Sequence, residues 1–223
     1  MRNKNTIKIN FIRHGKTELN ERHCYIGVTD AALSANGITE IREKKAKGIY
    51  PESQLVFVSP MKRCEETASV IYPYSEQVKI DEFREMDFGS FEGKCYEELK
   101  DNLYYRKWID ESRGVSPEEL IENYGNLGDA CENNIILPEG KAIFAERVVR
   151  GFDKVLKCTV GYNEVSVVVH GGTIMSLLSA YLTDDYYRFM VSCGEGVETS
   201  VTYIEDNGNI EISHFSINNW IRA

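Results

Sequence analysis

Residues 165–169 read Val-Ser-Val-Val-Val, a β-branched and almost wholly apolar run that stops at His170-Gly171-Gly172. Such a run fits a central strand of a parallel sheet, covered by helices on both faces. Shorter runs repeat the theme. Ile7–Ile12 reads as a first strand, Leu55–Val58 as a second and Val78–Asp81 as a weaker third. Thr199–Ile204 and Ile210–Phe215 flank Asn207-Gly208, the signal of a hairpin. Helix signals lie between the strands. Ser34 caps a segment that stops near Gly48, and Ser59-Pro60 and Ser116-Pro117 each read as an N-cap followed by proline at the first helical position. Glu119 adds a capping box to the second of these. Ile143, Phe144, Val148, Phe152, Val155 and Leu156 form one apolar face of a longer helix, and Thr173–Leu182 follows the buried strand.

Alternating strands and helices predict a three-layer α/β/α fold. Its sheet is expected to be mainly parallel, with an antiparallel hairpin at one edge. The 223 residues are expected to form a single domain, with a helical lid or insertion around 94–137. In such folds ligands bind beyond the carboxyl ends of the strands. The first strand runs into Arg13-His14-Gly15, the second into Ser59–Arg63, the third towards Glu82, Arg84 and Glu85, and the buried one into His170-Gly171-Gly172. Two histidines, at least two arginines and a carboxylate thus converge on one sheet edge.

These residue types suit a phosphate ester. Arginine forks match phosphate oxygens, glycines let the backbone approach, and helix N-termini add N–H donors. A neutral imidazole can attack phosphorus, and a carboxylic acid can protonate the leaving oxygen. Each residue also has an ordinary reading, as a surface ion pair, a core histidine, a solvated carboxylate or a turn glycine. Their joint occurrence at successive strand ends favours a site.

Composition narrows the partners. The formal net charge is −9, and Lys44-Lys45 and Arg106-Lys107 are only pairs, so a nucleic-acid partner is not expected. Neither an apolar signal peptide nor a segment of membrane-spanning length is read, and a cytoplasmic location without membrane partners is expected. The six cysteines are scattered with no C-x-x-C, which predicts free thiols; a zinc site using His23, Cys24 and a third residue is the minor reading. A homodimer through an exposed face is left open.

Five segments in order, FIRHGKTELN (11–20), VSPMKRCEETA (58–68), EFREMDFGSFEG (82–93), LPEGKAIFAERV (137–148) and VVVHGGTI (167–174), resemble the histidine phosphatase superfamily, also called phosphoglycerate mutase-like. The resemblance implies roles. His14 matches the phosphorylated histidine. Arg13, Arg63 and His170 match the phosphate pocket, with Asn20, Thr17 and the Gly171 backbone as further phosphate contacts. Glu85, which with Gly89 matches E-x-x-x-G, corresponds to the general acid and is thereby chosen over Glu82, Asp87 and Glu92. Three positions depart from the pattern. Lys16 and Lys141 stand where acidic or amide residues are frequent; they either alter substrate preference or are simply solvated, and solvation is the favoured reading. The 25–28 stretch lacks the tryptophan usual in mutases. The implied activity is hydrolysis of a small-molecule phosphate ester to an alcohol and inorganic phosphate, through phosphohistidine, with no metal or other cofactor. Within the superfamily the chain looks closest to small-molecule phosphatases, the α-ribazole-phosphate and broad-specificity branches among them. Alternatives are a cofactor-dependent phosphoglycerate mutase and an inactive phosphate-binding or regulatory protein.

Overall fold

The computed structural model describes residues 4–125, 127, 130, 133–183 and 185–222. Cys131 lies outside the described residues. Six strands, β1 Lys4–Arg13, β2 Leu55–Val58, β3 Glu76–Lys79, β4 Glu164–Val169, β5 Gly196–Asp206 and β6 Asn209–Ile221, form one sheet in the order β3-β2-β4-β1-β5-β6. The first four strands of that order are parallel; β5 runs antiparallel to β1, and β6 closes the edge as a hairpin. The hairpin turn places Asn207 at φ 51° and Gly208 at φ 81°, the left-handed pair that a two-residue turn demands. The expected mainly parallel fold with an antiparallel edge is observed.

The helices are α1 Glu18–Glu21, α2 Ala35–Ala46, α3 Lys62–Ile71, α4 Tyr96–Leu99, α5 Leu103–Ser112, α6 Pro117–Tyr124, α7 Lys141–Cys158 and α8 Gly171–Tyr181. Two-residue periodicity assigns each strand residue to a layer. Leu55, Phe57, Val165, Val167 and Val169 face Phe144, Val148, Phe152 and Leu156 of α7, together with Ile174 and Leu177 of α8. Val56, Val58 and Val168 face Ile41 of α2 and Cys64, Ala68 and Ile71 of α3. Ser166, the one polar residue of the apolar run, shares a 2.9 Å hydrogen bond with the Tyr72 hydroxyl and so is satisfied where it is buried. On α7, Ile143 is an exception to its predicted face: it is 64% exposed.

Two local readings change. Ser59 does not cap a helix: α3 starts at Lys62 after Met61, because the Ser59 hydroxyl is engaged with the ring of His170 at 2.7 Å. The cysteines are not all free thiols. Cys24 and Cys95, 71 residues apart, sit opposite one another in an isolated antiparallel bridge and form a disulfide. Cys64, Cys158 and Cys193 are free. Local spacing could not reveal the pair, since tertiary folding alone brings it together. Among the described residues, no helix is long and apolar enough to cross a membrane.

Candidate active site

Register sets the centre of the site. β1 and β4 are parallel neighbours, with Arg13 opposite Val169, so the next residues, His14 and His170, emerge side by side. Their rings lie 5.2 Å apart, edge to face. The His14 N–H donates to the Val169 carbonyl at 2.9 Å, extending the ladder by one step and fixing the histidine backbone.

His14 is only 2% exposed. Its Nδ1 lies 2.7 Å from the Gly15 carbonyl oxygen. A carbonyl can only accept, so Nδ1 carries the proton and Nε2 keeps its lone pair. Burial, helped by the charges of Arg63 and Arg13, holds the pKa of His14 well below the ordinary 6.5. The ring is therefore neutral near pH 7, in the tautomer with a free Nε2.

His170 has the opposite arrangement. Arg63 Nε donates to its Nδ1 at 3.3 Å, and its Nε2 donates to Ser59 Oγ at 2.7 Å. Burial, with Arg63 adding to it, also holds His170 well below the usual histidine value. Arg63 is fully buried on the first turn of α3. Its two terminal nitrogens donate to the carbonyls of Thr29 and Gly27, at 2.9 and 2.8 Å. Its charge thus sits under both histidines in a fixed position.

Arg13 donates through Nη1 to the Val191 carbonyl at 2.8 Å, and its buried Nε has no partner. A side chain at Gly171 would press on this guanidinium, meeting Cζ and Nε at 3.3 Å. Glu85 is 8% exposed and lies on the loop after the third strand. Its two carboxylate oxygens accept from the Met86 and Gly172 N–H groups, at 3.0 and 3.1 Å. Burial raises its pKa above the ordinary carboxylate value, although these N–H donors and the two arginines oppose the rise. A Cβ at position 172 would fall 2.3 Å from Glu85 Oε1, so only glycine leaves room for the carboxylate.

A cavity of about 770 Å³ opens over these groups. Arg13, His14, Asn20, Glu85 and Gly171 line it, whereas Thr17, Arg63 and His170 lie behind its wall. Thr17 is fully buried; its hydroxyl caps α1, accepting from the Asn20 N–H at 3.2 Å and donating to Asn20 Oδ1 at 3.0 Å. The far wall is aromatic, with Tyr25, Phe88, Tyr105 and Trp108 in mutual ring contact. Trp108 comes from α5, within the segment expected to cover the site.

Several residues escaped the sequence reading. From sequence, Glu92 is one of several carboxylates that could be solvated. Instead it accepts from the N–H groups of Gly27, Val28 and Phe88 and from the Thr29 hydroxyl, at 2.8–3.2 Å. It therefore clamps the 27–29 loop that holds Arg63. Arg147 of α7 donates to the carbonyls of Glu82 and Arg84, both at 2.8 Å, and pairs with Glu139 at 2.6 Å. It steadies the loop that carries Glu85. Both residues fall within the five family-like segments, 82–93 and 137–148 respectively, and that is the sequence signal that points to them. Lys16 pairs with Glu40 at 2.7 Å and stays near the surface. Lys141 is half-buried and lines the cavity, which corrects its reading as solvated. The ligand atoms of Cys24, Cys95 and Glu98 cluster closely among the described residues, but the disulfide engages both cysteine sulfurs and leaves no thiolate for a metal; His23 is not part of the cluster.

Fold and site together define an α/β protein of the phosphoglycerate mutase-like type, with paired histidines at the carboxyl edge of its sheet. Residues 9–211 match the profile of the histidine phosphatase superfamily (branch 1), and the chain belongs to that family. It is 35% identical over 145 residues to the uncharacterized phosphatase PhoE of Bacillus subtilis, covering 60% of this chain and 72% of that one. A phosphoglycerate mutase from Bacillus anthracis superposes with a TM-score of 0.68 at 23% identity, over 94% of this chain and 92% of that one. The α-ribazole phosphatase from Shigella flexneri gives 0.66 at 22%, over 92% and 94% respectively. At these identities the two structures establish the fold. The family contains both phosphatases and mutases.

Proposed function

We propose that this protein is a metal-independent phosphomonoester hydrolase that works through a phosphohistidine at His14. The observation that carries the reading is the 2.7 Å contact from His14 Nδ1 to the Gly15 carbonyl, which leaves Nε2 as the nucleophilic atom in the cavity that Glu85 also lines. In the first step Nε2 attacks phosphorus while the protonated Glu85 gives its proton to the departing alkoxide. In the second step Glu85 takes a proton from water, which displaces the histidine and releases inorganic phosphate. Arg13, Asn20 and the Gly171 backbone hold the phosphoryl oxygens, and buried Arg63, backed by His170, supplies fixed positive charge. The 94–137 segment serves as the lid of a single domain, a reading supported by Trp108 of α5 in the cavity wall.

The deciding test is hydrolysis of p-nitrophenyl phosphate in excess EDTA by wild type and His14→Ala. Turnover that survives EDTA, and falls about 10⁴-fold or more in the variant, supports the mechanism. Equal rates in the two proteins, or wild-type activity lost to EDTA, would overturn it.

One observation favours a second reading, phosphoglycerate mutase. Lys141 and Arg113 line the same cavity as His14, and a mutase needs further cations for the substrate carboxylate. Isomerisation of 3-phosphoglycerate after priming with the bisphosphate distinguishes the two.

A further inference from the structure

Lys141 opens α7 directly after Gly140, which offers no side-chain cap. A cation at that end opposes the helix dipole, which favours acids there. Burial adds a second penalty and lowers its pKa below the ordinary lysine value. Among the described residues no carboxylate pairs with it. Its neighbour Glu139 is held by Arg147 at 2.6 and 3.1 Å, and Glu111 approaches Lys107 at 3.9 Å. The Lys141 ammonium donates to the Ser112 carbonyl at 2.5 Å and lies 4.8 and 5.4 Å from the ring centres of Tyr186 and Tyr187. An ammonium has three donors, and the carbonyl takes one. The chain has 35 acidic and 26 basic residues, so an ammonium without a carboxylate is not a by-product of excess basic residues. Arg113, next to Ser112, brings a second guanidinium to the same cavity.

The reacting groups and these cations share a cavity whose wall is largely apolar and aromatic, including Tyr25, Phe88, Trp108 and Met175, with His23 and Ser112 as further polar members. A ligand that fills it has three parts: a phosphoryl group at His14, an apolar body against the rings, and an anion at Lys141. We propose that Lys141, assisted by Arg113, is a specificity-determining residue that reads a second anionic group on the substrate, borne by an apolar or aromatic alcohol portion. The proposal rests on the hydrolase reading given above and names its substrate class. A half-desolvated ammonium discriminates strongly because a charge-assisted hydrogen bond is worth about 10–100-fold in affinity.

The test is a matched series of aryl phosphates with a para side chain of one to three methylene groups ending in either carboxylate or carboxamide. The methylenes insulate the phenol, so the two members of each pair have nearly the same leaving group. The readout is the acid-to-amide ratio of kcat/KM in wild type, Lys141→Met, Lys141→Arg and Lys141→Glu. At one chain length at least, wild type is expected to prefer the acid by about tenfold or more. The preference should vanish in Lys141→Met, return in Lys141→Arg, and turn towards an aminoalkyl analogue in Lys141→Glu. A merely structural lysine would move both members of a pair together. A wild-type ratio near one at every length, or one unchanged in Lys141→Met, overturns the proposal. Should no aryl phosphate turn over, the hydrolase reading fails by itself, and calorimetric binding of the same pairs decides the role of Lys141. Tighter binding of the acid that requires Lys141 sustains it, and equal affinities overturn it.

Discussion

The floor and the roof of the cleft are built in different ways. The floor hangs on backbone. His14 follows the β1–β4 ladder, Glu85 is gripped by two N–H groups, and Arg63 is tied to two loop carbonyls. The roof is made of side chains. Tyr25, Phe88, Tyr105 and Trp108 touch ring to ring, and Lys141 leans on two more rings. Backbone hydrogen bonds have narrow geometry, so the floor holds its side chains in fixed positions, as the proposed chemistry requires. Ring contacts are broad and adaptable, so the roof can change its preference without moving the chemistry. Variants on the floor should therefore lower kcat, and those in the roof should alter KM and selectivity.

The largest break expected after His14 is at Glu85. Glu85→Ala should reduce kcat for an alkyl phosphate by about 10²–10⁴-fold, and for p-nitrophenyl phosphate by much less, because a good leaving group needs little protonation. Equal losses on the two esters would remove Glu85 as the acid. Gly172→Ala comes next. Its methyl would meet Glu85 Oε1 at 2.3 Å and push the carboxylate aside, for a loss of about 10²-fold on alkyl esters at unchanged far-UV dichroism. Full activity in this variant would show that the carboxylate position is not critical. In the roof, Trp108→Ala should raise KM for aromatic esters by about three- to tenfold, the worth of one lost ring contact, while kcat holds. A drop in kcat with constant KM would erase the division between floor and roof.

Much of the floor was legible in the sequence. Strand ends are visible as apolar runs that stop, and the residues after them fall at the carboxyl edge by the geometry of a parallel sheet. That geometry puts His14, Arg63 and His170 at this edge, whereas Glu85 stands out from Glu82, Asp87 and Glu92 only through the family resemblance. What was not legible depended on partners far along the chain. The Ser59 hydroxyl looks like a helix cap until His170, 111 residues later, occupies it. Glu92 looks solvated until the 27–29 loop folds onto it. Lys141 looks solvated because nothing local reveals that α7 starts inside a cavity. Local pattern specifies elements, and long-range contact decides which polar atoms are free.

The smallest effect sharpens the comparison through stability. His14 and His170 are both held below the ordinary value of 6.5 in the folded chain. The unfolded chain therefore binds protons first as pH falls. The stability associated with the two neutral rings is complete above about pH 6.5 and is lost progressively between there and their lower folded values. The loss is at most about 1.4 kcal/mol per histidine per pH unit. Glu85, raised on folding, acts in the opposite sense above its ordinary carboxylate value, so the His14→Asn/His170→Asn pair isolates the histidines. Urea midpoints at pH 7 and pH 5 should differ more in wild type than in the double variant. Identical differences would mean that the floor histidines are not held neutral by the fold.

In the proposed mechanism, the contact between His14 Nδ1 and the Gly15 carbonyl has a further consequence for the second half-reaction, where histidine would itself be the group that departs. Because Nδ1 keeps its hydrogen, phosphorylation at Nε2 yields a cationic N-phosphoimidazolium rather than a neutral phosphoimidazole. The Gly15 oxygen faces that new positive charge at hydrogen-bond distance. The cation expels a neutral ring when water attacks, whereas a neutral adduct would have to expel an imidazolate. On that mechanism a single main-chain carbonyl would prepare the histidine to receive phosphate and also to give it up.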